Sequence, residues 1–210
     1  MMKLAVLWWS GRMWQQIIQQ ALSRGWDVIT LARNPDKVSI IDLHLQIVQW
    51  DATNIDDITK VIIDCDIIIH AVSVPLRHRK PTHLYSQVTQ AVIWARPATS
   101  APQQYIVMSS TGTWHGRTDL PRYMRCWYEL MLWDVADDKE MEEKLLESSS
   151  LPWVIVKAVI LNNSSTSDYR MMDFADYRPW LQTVSRSAVA MAICDIVNQK
   201  LWNNSTIVVY

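Results

Sequence analysis

Glycine is scarce in this chain: four residues of 210, against twelve tryptophans, where average usage would bring glycine to about 7%. Several tryptophans, Trp8, Trp14 and Trp50 among them, stand where turns ordinarily use glycine. Cysteine is sparse as well. Cys65, Cys126 and Cys194 are far apart, odd in number and without a C-x-x-C pair, which argues against a disulfide framework and against any zinc or other metal site and leaves them as buried thiols. Neither sign of charge dominates: 20 basic against 21 acidic residues give no electrostatic reason for a nucleic-acid or anionic-membrane partner, so a small-molecule partner is expected. No apolar run approaches the roughly 20 residues of a membrane span, and the apolar stretch after Lys3 is too short for a signal-peptide core. A cytoplasmic protein is expected. Repeats and low-complexity segments are lacking too.

What is present is an alternation of strand and helix signals along a half-apolar chain, enough for a single domain, 1–210, with a sizeable core. Lys3-Leu-Ala-Val-Leu7 is an apolar run of strand length, and Ile17, Ile18, Ala21 and Leu22 then recur at helical spacing. Between them lies Trp8-Trp-Ser-Gly-Arg-Met-Trp14, where a dinucleotide-binding βαβ unit carries its glycine-rich phosphate loop. Glycines in such a loop make the sharp turn, let backbone N–H groups approach a diphosphate, and let helix pack closely on strand. Gly11 is the one glycine of this segment, and indoles occupy the other two places of the three-residue spacing. The frame is kept and its chemistry is compromised. Replacing Trp8 and Trp14 by glycine is therefore expected to tighten dinucleotide binding at least tenfold, ~1.4 kcal/mol.

Trp26–Leu31 reads as a second strand after the C-cap candidate Gly25. Arg33 follows it, at the position that reads the adenosine ribose in dinucleotide folds, where an Arg pairs with the 2′-phosphate of NADP. The alternative for Arg33 is a solvated side chain in the Asn-Pro-Asp turn.

These segments, with Ala32-Arg-Asn-Pro-Asp-Lys37 after the second strand, resemble the atypical short-chain dehydrogenase/reductases, in particular the NmrA-like and the biliverdin- or flavin-reductase-like NAD(P)-binding proteins. The resemblance covers nearly the whole chain. It implies an α/β fold: a Rossmann-type, doubly wound, mainly parallel sheet with a small substrate-side lobe at about 160–183. It also implies NADP as cofactor, with NAD as the other candidate. Trp8, Ser10, Gly11, Arg12 and Met13 would line the phosphate loop.

Further along, Gln46–Gln49 is a third strand, and Trp50-Asp51-Ala-Thr-Asn54 resembles the family's adenine-contacting G-D-x-x-D segment. Asp51 is thereby an adenine-side contact or, equally, a capping residue near the start of a helix that runs from Thr53 or Asn54 through Ile63. Asp66–Ala71 is a fully apolar fourth strand, as a sheet covered on both faces requires. His70 at its end reads as a packed residue rather than a catalyst. Ala71 and Val72 begin the turn that, by the resemblance, passes beside the cofactor. Arg77-His-Arg-Lys80 is a basic cluster read as a solvated loop, with a phosphate contact as the alternative.

Gln104–Met108 is the fifth strand, and Ser109-Ser-Thr-Gly112 leaves it at the edge where ligands of open α/β folds bind. The resemblance assigns Ser110 to the active site and Ser109 to the cofactor; the alternative is a polar turn whose hydroxyls cap backbone groups. Asp137–Leu146 is a charged amphipathic helix in which Lys139 matches a site-facing family position, while Glu142 and Glu143 read as a solvated face. Ser148–Val156 matches the family's A-S-G-L-x-W-T-I-V, after which Lys157-Ala-Val159 stands in place of Arg-Pro-Gly. Val184–Ala190 resembles its I-S-R-x-D-V-A.

The usual acid of short-chain dehydrogenases is a Tyr with Lys four residues on, and no Tyr here has that partner. Two functions follow: an NADPH-dependent reductase of small planar acceptors such as flavins or quinones, or a non-catalytic dinucleotide-sensing or scaffold protein of NmrA type. Arg33→Ala is expected to weaken NADPH by about 1.5–3 kcal/mol, the scale of a hydrogen bond to a charged group. A titration showing an equal loss for NADH would show that Arg33 does not read the 2′-phosphate.

Overall fold

The computed structural model describes residues 2–7, 12–32, 35, 38–49, 51–74, 82–98, 104–113, 122–178, 182–199 and 202–210, with the backbone alone for 98 and 122–134. Within them the chain runs β1 (Lys3–Leu7), α1 (Met13–Ser23), β2 (Asp27–Leu31), β3 (Leu45–Val48), α2 (Ile55–Ile62), β4 (Ile67–His70) and α3 (Leu84–Ala95). It continues with β5 (Gln104–Ser110), α4 (Arg122–Glu147), β6 (Trp153–Ala158), β7 (Ile160–Asn162), β8 (Met171–Asp173), β9 (Thr183–Ser185), α5 (Arg186–Gln199) and β10 (Ser205–Val209).

Eight strands form one sheet in the order β3-β2-β1-β4-β5-β6-β10-β8, and β7 pairs with β9 separately. Every pairing in the large sheet is parallel except β10 with β8. This is the expected Rossmann-type sheet, and strand order reverses between β1 and β4. Such a switch point opens a crevice at the carboxyl ends of the strands.

The pleat sorts each strand between two cores. Leu4 and Val6 of β1 face α1 and α5 with Trp14, Ile17, Ala188 and Ile193, whereas Ala5 and Leu7 face α2 and α3 with Ile58, Ile62, Val88 and Val92. Helix α4 joins the second layer, packing on α3 and placing Leu146 in that core.

Local chemistry fixes the helix ends. Asn54 caps α2 by accepting from the N–H groups of Asp56 and Asp57 at 2.9 and 3.2 Å. Gly25 ends α1 at φ 74°, a left-handed conformation that a glycine adopts without strain. Trp202 and Asn204 adopt the same region, at φ 68° and 51°. Their turn lies at the amino edge of the sheet, where Asn204 exchanges bonds with the backbone of Trp153 and Gln104 Nε2 donates to the Trp202 carbonyl.

Segment 160–183, expected as an aperiodic lobe, holds β7, β8 and a short 3-10 turn, Phe174–Asp176. Trp14 is 2% exposed and belongs to the core of α1, so the loop test by glycine substitution is confined to Trp8, which lies outside the described residues. Trp14→Ala is expected to lower the unfolding free energy by about 3–5 kcal/mol, the cost of emptying a large aromatic site. A denaturant midpoint close to that of the unmodified chain would contradict this placement.

Candidate functional site

At the carboxyl edge, β1 and β4 are continued by the Ala71 N–H donating to the Leu7 carbonyl at 2.9 Å. Ala71 and Val72 are buried at the start of the crevice turn, and the Val74 N–H donates to the Tyr85 hydroxyl at 3.0 Å. Next to β4, β5 ends in Ser109 and Ser110, whose side chains the pleat sends to opposite faces. Ser109 points toward α4 and is buried, while Ser110 is half-buried on the α1 and α5 side.

Helix α4 covers the first of these faces with a polar layer. Ser109 Oγ donates to Glu143 Oε1 at 2.5 Å, and Thr113 Oγ1 lies 2.7 Å from the same oxygen. Lys157 of β6 donates to Glu143 Oε2 at 2.9 Å and to the Thr113 carbonyl at 2.9 Å, with its ammonium 4.7 Å from the centre of the Phe174 ring. Burial, countered by Glu143, leaves the Lys157 amine below its ordinary value.

One helical residue earlier, Glu142 Oε1 lies 2.7 Å from His70 Nδ1, and Thr89 Oγ1 donates to it at 3.2 Å. The Tyr105 hydroxyl is 2.9 Å from the same His70 nitrogen. Burial alone would raise the Glu142 carboxyl, but His70 and Lys139 more than offset it and hold the group below the usual glutamate value. The Tyr105 phenol is pushed well up, first by burial and then by Glu142. Asp138 Oδ2 accepts from the Tyr85 N–H at 2.9 Å, and its Oδ1 accepts from the Ser86 N–H and hydroxyl at 3.1 and 2.5 Å, tying α4 to the start of α3.

Lys139 is the more exposed cation of this layer, its side chain 12% exposed against 1% for Lys157. Its ammonium donates to the Met108 carbonyl at 2.7 Å and stands 4.1 Å from the centre of the Tyr85 ring. A tyrosine and a lysine therefore do meet, from two different helices. The cation faces the ring rather than the phenol oxygen, and burial raises that phenol above its ordinary value.

The expected site residues fare as follows. Trp8, Ser10, Gly11 and Arg33, like the cluster at 77–80, lie outside the described residues. Arg12 is exposed at the N-cap position of α1 and makes no side-chain cap, and Met13 is buried behind it. Asp51 is exposed and turned onto its own loop, accepting from the Thr53 N–H and hydroxyl at 2.9 and 2.8 Å. Ala71, Val72, Ser109 and Lys139 gather around the ends of β4 and β5, but among the described residues no hydrogen bond joins Ser110 to Lys139.

The reading of Glu142 and Glu143 as a solvated face is corrected: they are 0% and 1% exposed. Their closest partners, His70 and Lys157, come from strands β4 and β6, and only Lys139, three residues before Glu142 at 3.7 Å, lies near in the sequence. Lys157 stood out as a departure from the Arg-Pro-Gly pattern, and that departure was the signal available. His70 is packed, as expected. Cys65 and Cys194 are buried thiols outside any disulfide, and burial pushes their pKa up to about 12; the side chain of Cys126 lies outside the described residues. Among the described residues no helix is long and apolar enough to cross a membrane.

Residues 10–200 match the family model for NAD(P)H-binding proteins, and the chain belongs to that family. No curated protein matches it in sequence. Among solved structures, a short-chain dehydrogenase/reductase of Veillonella parvula in complex with NADP superimposes with a TM-score of 0.80 at 15% identity, covering 100% of this chain and 94% of that one. A candidate NADH-flavin reductase of Streptococcus pneumoniae gives 0.74 at 18% identity over 100% and 99% of the two chains. The anaerobillin reductase ChuY of Escherichia coli gives 0.76 at 16% identity over 98% and 96%. At such identities these likenesses establish the fold.

Two outcomes are expected from the polar layer. Lys157→Met strands the Glu143 carboxylate and should cost about 3–5 kcal/mol, much of it regained when Glu143→Gln is added; a denaturant series on the two variants checks this. Because the folded-state pKa of Glu142 is depressed, its stabilisation is complete above the ordinary glutamate range and is lost as pH falls through the depressed value. Acid unfolding followed by circular dichroism should therefore be shallower in Glu142→Gln.

Proposed function

We propose that the protein is an NAD(P)H-dependent reductase that passes hydride to a small planar acceptor such as a flavin or quinone, with NADP(H) preferred. Membership of the NAD(P)H-binding family, over residues 10–200, carries this reading. The described residues fit a dinucleotide. Helix α1 begins at the switch point with no side-chain cap and no acid in its first turn, whereas α2 is capped by Asn54. The positive end of α1 thus faces the switch point, where it favours the negative charge of a diphosphate, with Arg12 beside it.

The bound nicotinamide supplies the hydride, and the protein positions donor and acceptor. Ala71 and Val72 give the crevice an apolar floor at the end of β4. Lys139 places a cation against the end of β5, where charge on a reduced acceptor is stabilised. Ser110, pointing to the opposite face, offers a hydroxyl toward the lobe at 160–183.

A non-catalytic dinucleotide sensor of NmrA type is the second reading. The observation favouring it is that the Ser109 hydroxyl and the Lys139 ammonium are both spent on internal hydrogen bonds. NADPH oxidation, followed by the absorbance of the reduced nicotinamide with FMN or menadione as acceptor, separates the two. Acceptor-dependent turnover supports the reductase, and saturable NADPH binding without turnover supports the sensor. In the reductase, Ser110→Ala should lower kcat/KM for the acceptor about tenfold, ~1.4 kcal/mol, while NADPH affinity stays as it was.

A further inference from the structure

Three carboxylates of α4 are buried against the strand ends, and they are not equivalent. Asp138 has both oxygens occupied by the first residues of α3. Glu143 has both occupied by Lys157, Ser109 and Thr113. Glu142 is different: Oε1 is held by His70 and Thr89, whereas Oε2 is buried with no hydrogen-bond donor among the described residues. The cation facing Oε2 is Lys139, at 3.7 Å. The other ring nitrogen of His70, Nε2, is likewise buried and without a partner among the described residues.

A buried carboxylate oxygen left without a donor is costly, so the arrangement calls for a function other than holding α4 in place. Lys139 supplies one. Its side chain is 12% exposed, against 0% for Glu142 and 1% for His70, so it is where this polar network meets the crevice. The same ammonium touches the end of β5 through the Met108 carbonyl and, through the Tyr85 ring, the side chain that binds the crevice turn at Val74.

From this geometry we infer that Glu142 is a positioning residue of the crevice. Its Oε2 holds the Lys139 ammonium against Met108 and Tyr85, and His70 fixes the carboxylate by donating Nδ1–H to Oε1. The groups facing this unit are Thr89 and Tyr85 of α3, Tyr105 of β5, and Lys139 of α4. This inference rests on the reductase reading only for its kinetic consequence, since the position of Lys139 is measurable without turnover.

The test compares the unmodified chain, Glu142→Gln, Lys139→Met and the double variant. Acylation of individual lysines by acetic anhydride is followed by mass spectrometry, with Lys60, whose side chain is 59% exposed, as internal reference. Glu142→Gln should raise Lys139 labelling severalfold relative to Lys60. With NADPH and menadione it should lower kcat about tenfold, ~1.4 kcal/mol, change KM for NADPH little, and have no further effect on kcat in the Lys139→Met background.

Unchanged Lys139 labelling, or an equal fractional loss of kcat with and without Lys139, overturns the inference and leaves Glu142 a packing residue. If the unmodified chain shows no turnover, the reductase reading fails while the labelling still decides the position of Lys139. Circular dichroism of each variant is recorded alongside. Should Glu142→Gln be unfolded, Glu142→Asp takes its place: it withdraws the charge from Lys139 by one methylene, so the same rise in labelling is expected, and its absence is equally decisive.

Discussion

Glu142 and Glu143 sit side by side on one helix with almost no contact with water, and each is held there by a partner from a different strand, His70 of β4 and Lys157 of β6. Burying a charge without a partner costs several kcal/mol, so helix α4 can lie on the sheet in this way only if β4 presents His70 and β6 presents Lys157. Much else follows from that requirement. It fixes the helix along its own axis, because a shift of one residue would face the carboxylates with the wrong partners. It also fixes the turn after β5, since Ser109 and Thr113 share the Glu143 oxygens with Lys157. The crevice walls are thus defined by electrostatic matching as much as by apolar packing.

The other wall is governed by what is left unmade. α2 closes its own N-terminus with Asn54 and two acids in its first turn, while α1 has neither. Among the described residues no side chain caps the start of α1 at the topological switch point, and the N-terminus of a helix attracts negative charge. The Arg24–Asp195 pair, at 2.5 Å, ties the far end of α1 to α5, so the helix is anchored at the end away from the switch point.

Much of the fold was legible in the sequence because its signals are local: a short apolar run is a strand, a 3.6-residue repeat is a helix, and alternation of the two implies a parallel sheet. The site was legible only in outline. Ala71, Val72 and Ser109 lie at the ends of β4 and β5, and Lys139, singled out by the family resemblance, reaches Met108 from α4. The two glutamates were misplaced because amphipathic spacing reports which residues share a helix face, not whether the opposing surface carries positive charge. Trp14 shows the complementary limit. Its position in the loop frame suggested an obstruction, whereas its neighbours in space make it core.

Trp202 and Asn204, both in the left-handed backbone region, close the turn that binds the amino ends of β5, β6 and β10. On the proposed function, the sheet divides its labours between two rims, one devoted to integrity and one to chemistry, separated by the length of the strands. A lineage of this protein can drift at one rim without disturbing the other. Substitutions around 202–204 would be felt as changes in how much folded protein persists, those around 70–74 and 108–113 as changes in what each folded molecule does. Selection acting on abundance and selection acting on specificity would then leave their marks at opposite ends of the same strands.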